Sequence, residues 1–282
     1  MSIEIQGLYH TYMEKTPYEK HALKNINLRI KDGEFVCIVG HTGSGKTTLI
    51  GHLNGLIKPS NGRVIICGEE ANSKKTLNRN TRLQVGLVFQ YPEHQIFEET
   101  VYREVAFGPF NLGCDEIETE DRVSEAMRIV GLNSQYYNRS PFELSGGEKR
   151  RVAIASVLAM KPRILVLDEP VAGLDPRGRD DILSQIKKMH EANNTTIIMV
   201  THSMDDVARY GERVVVMKNG EINFDGKTKD LFVNDKIISD AGLLEPAIVS
   251  VFKKIKNLGF GVSDRVCTVE QAKEEILRVM RG

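Results

Sequence analysis

One stretch limits what this chain can fold into more than any other. It is Phe35-Val36-Cys37-Ile38-Val39 followed directly by Gly40-His41-Thr42-Gly43-Ser44-Gly45-Lys46-Thr47-Thr48. The apolar run is the pattern of a strand buried on both faces of a parallel sheet. The stretch after it fits G-x-x-x-x-G-K-[ST], a phosphate-binding loop. Thr48-Leu49-Ile50-Gly51-His52-Leu53-Asn54 can then open a helix. A strand, a glycine-rich turn and a helix N-terminus aim backbone N–H groups and a positive helix end at one point, so an anion is favoured there. Gly40, Gly43 and Gly45 let the backbone wrap a phosphate without a Cβ in the way. Lys46 is expected to neutralise β- and γ-phosphates, and the Thr47 hydroxyl to ligate Mg²⁺. His41, Thr42, Ser44 and Thr48 complete the nucleotide-contacting loop.

Composition narrows the rest. A chain of 282 residues suits one large α/β domain, or one domain with a small appendage. Basic and acidic side chains balance at 38 each, so the molecule as a whole carries no nucleic-acid footprint. Cys37, Cys67, Cys114 and Cys267 are scattered and form no C-x-x-C pair, which points to free thiols in a reducing compartment. No apolar run approaches the ~18 residues of a membrane span, and the N-terminus lacks a signal peptide's long apolar core. The expectation is a cytosolic protein that reaches a membrane only through a partner.

Along the chain, Ile3-Glu4-Ile5 and Ile26-Asn27-Leu28-Arg29-Ile30 alternate, as antiparallel strands with one wet face do. Strands are also expected at Arg63–Cys67, Val85–Phe89, Ile164–Glu169 and Thr196–His202, with loop or a short helix over 69–82. Residues 98–140 form a helical block between strands. Helices follow from Leu144 to about Met160 and over Arg177–Glu191. Strand–helix alternation of this kind means a parallel sheet covered on both faces. Arg213–Phe224 reads as a hairpin turning at Asn219-Gly220. In the tail, Ile248, Val251, Phe252, Ile255 and Leu258 share one helical face. Thr268-Val269-Glu270-Gln271 resembles a capping box before a second stripe of Ala272, Ile276, Val279 and Met280.

Two further stretches carry chemistry. Apolar residues ending in Asp168-Glu169 place carboxylates at the C-terminal end of a parallel strand, where ligands bind in such sheets. Asp168 is expected to hold Mg²⁺, and Glu169 to act as general base on the water attacking the γ-phosphate. Alone, the pattern more often just ends a strand; after a phosphate loop it reads as the second half of the site. Leu144-Ser145-Gly146-Gly147-Glu148-Lys149-Arg150-Arg151 is a second anion nest at a second helix N-terminus. A chain with one complete phosphate loop has no obvious need of another.

On these residues the chain resembles the nucleotide-binding subunits of ABC transporters, over about residues 3–230. Leu144–Glu148 matches the ABC signature, Gln90 the Q-loop glutamine, Ala172-Gly173-Leu174-Asp175 the D-loop and His202 the switch histidine. Tyr12 sits where that family stacks an aromatic on adenine; Tyr9 is a weaker candidate. The resemblance implies an α/β P-loop NTPase of ABC-ATPase type, with a mixed sheet, an antiparallel β subdomain, an inserted helical subdomain and a C-terminal helical extension. It also implies that ATP lies between one subunit's phosphate loop and the other subunit's Ser145, Gly146 and Gly147. Gln90 would join Thr47 and Asp168 at Mg²⁺, His202 would hold the attacking water with Glu169, and Asp175 would serve the dimer interface. Asp175-Pro176 is equally an ordinary helix start.

Gln90-Tyr91-Pro92-Glu93-His94-Gln95-Ile96-Phe97, Thr100-Val101 and Val105-Ala106-Phe107-Gly108 are similar to the ATPase components of energy-coupling-factor (ECF) vitamin importers and of cobalt/nickel importers. Phe142–Arg151, Asp168–Asp175, Ser2-Ile3-Glu4-Ile5 and Thr16-Pro17-Tyr18-Glu19 resemble the second ATPase paralogue of ECF systems. That likeness implies an ATPase powering micronutrient uptake at the cytoplasmic face of a prokaryotic membrane. Its partners would be a first ATPase paralogue, a transmembrane T component and, through it, a substrate-capturing S component. The expected division is an ATPase domain over 1–235, with about 98–160 as its inserted helical part, and a helical extension over 236–282. The extension's stripes suit ATPase–ATPase contact or folding back onto its own domain. A cobalt/nickel importer ATPase and a soluble ABC ATPase are the alternatives. The second lacks support, because the chain has neither a long coiled-coil insertion nor a tandem ATPase domain. Glu148 stands where the signature more often has glutamine, and Val171 where threonine is commoner.

Overall fold

The computed structural model describes residues 2–71 and 83–281. The stretch 72–82, most of the expected loop or short helix, lies outside the described residues. In chain order the strands are β1 (Ile3–Tyr12), β2 (Lys20–Ile30), β3 (Phe35–Val39), β4 (Asn61–Ile66), β5 (Glu69–Glu70), β6 (Val85–Val88), β7 (Ile164–Asp168), β8 (Thr196–Val200), β9 (Arg213–Lys218) and β10 (Glu221–Lys227). The α-helices are α1 (Lys46–Leu53), α2 (Val101–Leu112), α3 (Glu116–Ile129), α4 (Gly146–Leu158), α5 (Pro176–Asn193), α6 (Met204–Tyr210), α7 (Thr228–Phe232), α8 (Asp235–Asp240), α9 (Ala247–Asn257) and α10 (Val269–Arg281).

Two sheets result. A four-stranded antiparallel sheet runs β2-β1-β4-β5, and a six-stranded sheet runs β10-β9-β3-β8-β7-β6. In the larger sheet β6, β7, β8, β3 and β9 are parallel, and β10 folds back antiparallel on β9 through the Asn219-Gly220 turn. Because side chains alternate along a strand, each apolar run feeds two cores. Cys37, Val39, Leu165, Leu167, Ile197 and Met199 face the core shared with the helical block. Val36, Ile38, Ile164, Val166, Ile198 and Val200 face the core under the antiparallel sheet and α1. Burial on both faces is why these strands read as unbroken apolar runs rather than alternating ones.

Helix starts follow local chemistry. Thr100, Asp115, Ser145, Asp175 and Ser203 each cap a helix by accepting a backbone N–H with the side-chain oxygen. At α10, Gln271 N–H donates to Thr268 Oγ1 at 3.3 Å, and Gln271 Oε1 accepts from Cys267 N–H at 2.9 Å, one residue earlier than a strict capping box. The tail's expected stripe splits. Phe252 is buried and Ile248 and Ile255 are half-buried, while Val251 and Leu258 face solvent and Val249 takes an inward place. Val249 and Cys267 join the main core, and Phe252, Val262, Val266 and Ala272 make a small core of their own. The tail therefore does pack on its own domain, and Ile276, Leu277 and Met280 of α10 remain exposed.

Candidate functional site

All four parallel strands that carry expected site residues deliver them at their C-terminal ends, as open α/β sheets do. The phosphate loop follows β3, Gln90 follows β6, Asp168-Glu169 ends β7 and His202 follows β8. Since β3, β8, β7 and β6 are consecutive in the sheet, the four ends stand side by side, although His202 lines a neighbouring depression that shares Glu169 with the phosphate pocket rather than the pocket itself. A pocket of about 250 Å³ there is lined by Tyr12, Thr42, Gly43, Gly45, Lys46, Thr47, Thr48, Gln90, Asp168 and Glu169, together with Lys20 and Ala22.

The loop needs glycine at two of its positions for identifiable reasons. At Gly40 φ is +151°, and a Cβ would lie 2.2 Å from the Met217 carbonyl oxygen; at Gly45 φ is +103°, and a Cβ would meet the Ala22 carbonyl at 2.7 Å. Lys46 Nζ donates to the carbonyls of Gly40 at 2.7 Å and His41 at 3.0 Å, so the ammonium lies across the loop mouth. Burial pulls the Lys46 ammonium below its ordinary pKa, against the opposing pull of Glu169 and Asp168. Ser44 is buried under the loop with its hydroxyl unpartnered. The His41 imidazole folds back on the Thr42 carbonyl at 2.7 Å and stays at the surface.

The carboxylates are tightly framed. Glu169 has φ of +48°, a strained value for a non-glycine residue that is found where function holds the backbone. Its Oε2 accepts from Gln90 Nε2 at 3.3 Å, and its Oε1 lies 3.2 Å from His202 Nδ1. Asp168 is pushed up to about 6, first by burial and then by the neighbouring Glu169 charge, although Lys46 and the Thr47 hydroxyl pull it down. A carboxyl raised in the fold stabilises fully only below its ordinary value of 3.8, and this support is lost as pH rises through about 6. Asp168→Asn should therefore raise the melting temperature of the nucleotide-free protein at pH 8 by the equivalent of roughly 3 kcal/mol. The gain should shrink as the pH falls toward that of the ordinary carboxyl, which thermal melts across pH will check.

The donor set suits a hard cation. Thr47 hydroxyl, Asp168 carboxylate and Gln90 amide are all oxygen donors at one pocket wall. Two adjacent carboxylates, one of them buried, leave negative charge that a cation would offset.

Tyr12 is 41% exposed at the pocket rim and shares a 3.1 Å hydrogen bond with Thr48 Oγ1. His10 holds its ring edge-on at 4.5 Å. Tyr9 does not line the pocket. Lys20 is the Cα partner of Tyr12 across the hairpin. Its place beside the site depends on strand register, which no motif encodes.

Ser145, Gly146, Gly147 and Asp175 do not line this pocket. They cluster elsewhere: a Cβ on Gly147 would lie 3.4 Å from Leu174, and Asp175 caps α5 through the Gly178 N–H at 3.0 Å. Sequence reading also missed a link between the Gln90–Phe97 segment and the signature helix. Arg150 of α4 donates to both oxygens of Glu93 at 3.0 and 2.8 Å, with Tyr91 5.7 Å from its guanidinium. Burial pushes the Glu93 carboxyl up, yet the Arg150 bonds and the local backbone bond bring it below its ordinary value. Arg150→Ala strands a partly buried carboxylate and is expected to cost about 3–5 kcal/mol, read as an early midpoint in denaturant unfolding. A larger cavity of about 470 Å³ lies at the other end of the strands, between α3 and the β7–β8 starts, and contains none of the expected site residues.

Comparison with known proteins agrees with this geometry. A family profile described as "ABC transporter" matches residues 23–172. The chain is 51% identical to the energy-coupling factor transporter ATP-binding protein EcfA2 of Clostridium perfringens (strain 13 / Type A), covering 100% of this chain and 99% of that protein. It is 50% identical to the protein of the same name from Caldanaerobacter subterraneus subsp. tengcongensis, covering 100% and 99%. Among solved structures, cbiO1 of Clostridium perfringens, described as part of the ABC transporter complex cbiONQ, superposes with a TM-score of 0.75 at 37% identity over 89% of this chain and 98% of that one. A dimeric, post-hydrolysis form of the ATP-binding cassette MJ0796 with ADP and Pi gives 0.72 at 33% identity over 80% and 98%.

Proposed function

Because the chain belongs to the ABC transporter family, as an ATP-binding protein of the energy-coupling factor kind, we propose that its phosphate loop and Glu169 carry out the ATP hydrolysis that drives an importer. The chain is the ATP-hydrolysing subunit of an ECF-type importer, turning ATP and water into ADP and phosphate to power micronutrient uptake. The observation that carries the site assignment is the Glu169 carboxylate, fixed between Gln90 and His202 beside the loop that holds Lys46.

The geometry supports the following roles. Gly40–Thr48 cradles the phosphates, and Lys46 gives up its two carbonyl partners for β- and γ-oxygens. Tyr12 offers its exposed ring to the base. Glu169 accepts a proton from the attacking water, and His202 and Gln90 fix the carboxylate's direction. Thr47 and Asp168, with Gln90 beside them, would hold Mg²⁺, which when bound neutralises charge on the phosphate oxygens.

Ser145, Gly146 and Gly147 do not line this chain's own pocket. That supports their service to an ATP on a second ATPase, as does the dimeric state of MJ0796. Our reading is a heterodimer with a paralogue, and Asp175 at its interface. No described helix is long and apolar enough to cross a membrane. We place the chain on the cytoplasmic face, bound through the Gln90–Phe97 segment to a transmembrane T component and, through that, to S components. The helical part over about 98–160 presents this segment, and 236–282 is the dimerisation extension. The likeness to cbiO1 keeps a metal-importer ATPase as the second reading.

The test is uptake by vesicles that hold the full complex. ATP-driven vitamin uptake lost with Glu169→Gln supports the reading. Uptake of a divalent metal alone supports the second, and uptake indifferent to Glu169→Gln overturns both.

A further inference from the structure

The signature serine is already engaged within its own chain. Ser145 N–H donates to Glu148 Oε2 at 2.9 Å, the Ser145 hydroxyl donates to the same oxygen at 2.7 Å, and Glu148 N–H donates back to Ser145 Oγ at 3.3 Å. A capping box requires only the two backbone donors. Here the carboxylate takes the hydroxyl proton as well. Its other oxygen accepts the Tyr136 O–H at 2.7 Å, and the Arg139 guanidinium lies 5.1 Å from the Tyr136 ring centre. The hydrogen bond from Ser145, followed by that from Tyr136, holds the Glu148 carboxyl down to about 2, so it stays an anion at any working pH.

We propose that Glu148 is a positioning residue that withholds the Ser145 hydroxyl from a partner-bound nucleotide and so sets the ATP concentration at which two ATPase chains close. The proposal rests on the reading that Ser145 meets a γ-phosphate across the subunit interface. A hydroxyl has one proton, and both a carboxylate and a phosphate can only accept it. The γ-phosphate therefore gains Ser145 only when the O–H leaves Glu148. Leaving breaks a charge-assisted hydrogen bond, stronger than a neutral one, and sets two anions on either side of one hydroxyl. Tyr136 raises this threshold by holding the carboxylate in line with the serine. A glutamine in the same place keeps an acceptor for the Ser145 N–H. The carbonyl oxygen that takes the Oε2 place is neutral, so it holds the Ser145 hydroxyl less tightly than a carboxylate does and leaves no second anion beside the γ-phosphate. Cap and helix start survive, and the restraint weakens.

The experiment measures ATPase activity against ATP concentration, using the full-length chain with its ATPase partner. Glu148→Gln should lower the half-saturating ATP concentration by about five-fold or more with kcat little changed, the loss of one charge-assisted bond. The melting temperature should not fall. Tyr136→Phe should shift it the same way by less, and it carries the test should Glu148→Gln not fold. Ser145→Ala should abolish most turnover. An unchanged or raised half-saturating ATP concentration in Glu148→Gln, with Ser145→Ala inactive, overturns the withholding role and leaves the cross-subunit reading standing. Normal turnover by Ser145→Ala overturns the cross-subunit reading and the proposal with it.

Discussion

Glu169→Gln is expected to slow ATP turnover by roughly 10²–10⁴-fold, the size of a lost general base, while ATP still binds and two chains close around it. The substitution changes one oxygen to an amide and keeps the length of the side chain. Gln90 still finds an acceptor in the remaining oxygen, so the pocket wall stays in place. What goes is the carboxylate at the end of β7 that can accept a proton from water and is held on one side by the Gln90 hydrogen bond and on the other by the His202 imidazole 3.2 Å away. Asp168 cannot substitute: it is buried, and the Thr47 hydroxyl and Lys46 act on it from the loop side. Phosphate release at saturating ATP should show the loss, and size-exclusion chromatography with light scattering should show a stable ATP-bound pair. Turnover close to that of the unaltered protein would move the base elsewhere.

Lys46→Ala should weaken ATP binding by about 10²-fold or more, because charge-assisted hydrogen bonds to phosphate are worth about 1.5–3 kcal/mol each and Lys46 can make at least two. The ammonium is placed for this before any nucleotide arrives. It spans the loop mouth on carbonyls it can exchange for phosphate oxygens. Removing it also takes away the cation that pulls down Asp168, so that carboxyl should rise further and the cradle become less able to hold a cation. Equilibrium binding with a fluorescent ATP analogue measures the first effect. Lys46→Arg should fail to rescue it, since a planar fork does not fit a loop shaped around a compact ammonium. Undiminished binding by Lys46→Ala would mean that the backbone cradle suffices.

Much of this site was legible in the residues because its parts are local. Gly40–Thr48 carries its own turn, its glycines and its cation in one stretch, so spacing alone defines a cradle. Asp168-Glu169 is readable for the same reason, an apolar run ending in carboxylates. The tail was less readable. A five-residue stripe on one helix does not say which members meet a core, and Val249 rather than Val251 turned inward where the helix met the main domain. Lys20 beside Tyr12 and Arg150 on Glu93 were not readable at all: the first depends on hairpin register, the second on two segments 57 residues apart.

The sequence by itself determined that this chain binds a nucleotide phosphate, which strands run through the larger sheet, and that helices follow the phosphate loop, the signature serine and Asp175. Each of these depends on neighbours within a few residues, where backbone geometry and side-chain period are set. Only the tertiary structure decided that four strand ends stand side by side and that Glu169 lies between Gln90 and His202. Only there, too, does the signature stand outside its own pocket with its serine in the grip of Glu148. These depend on strand order and on contacts between distant segments, and such contacts exist only once the chain has closed on itself.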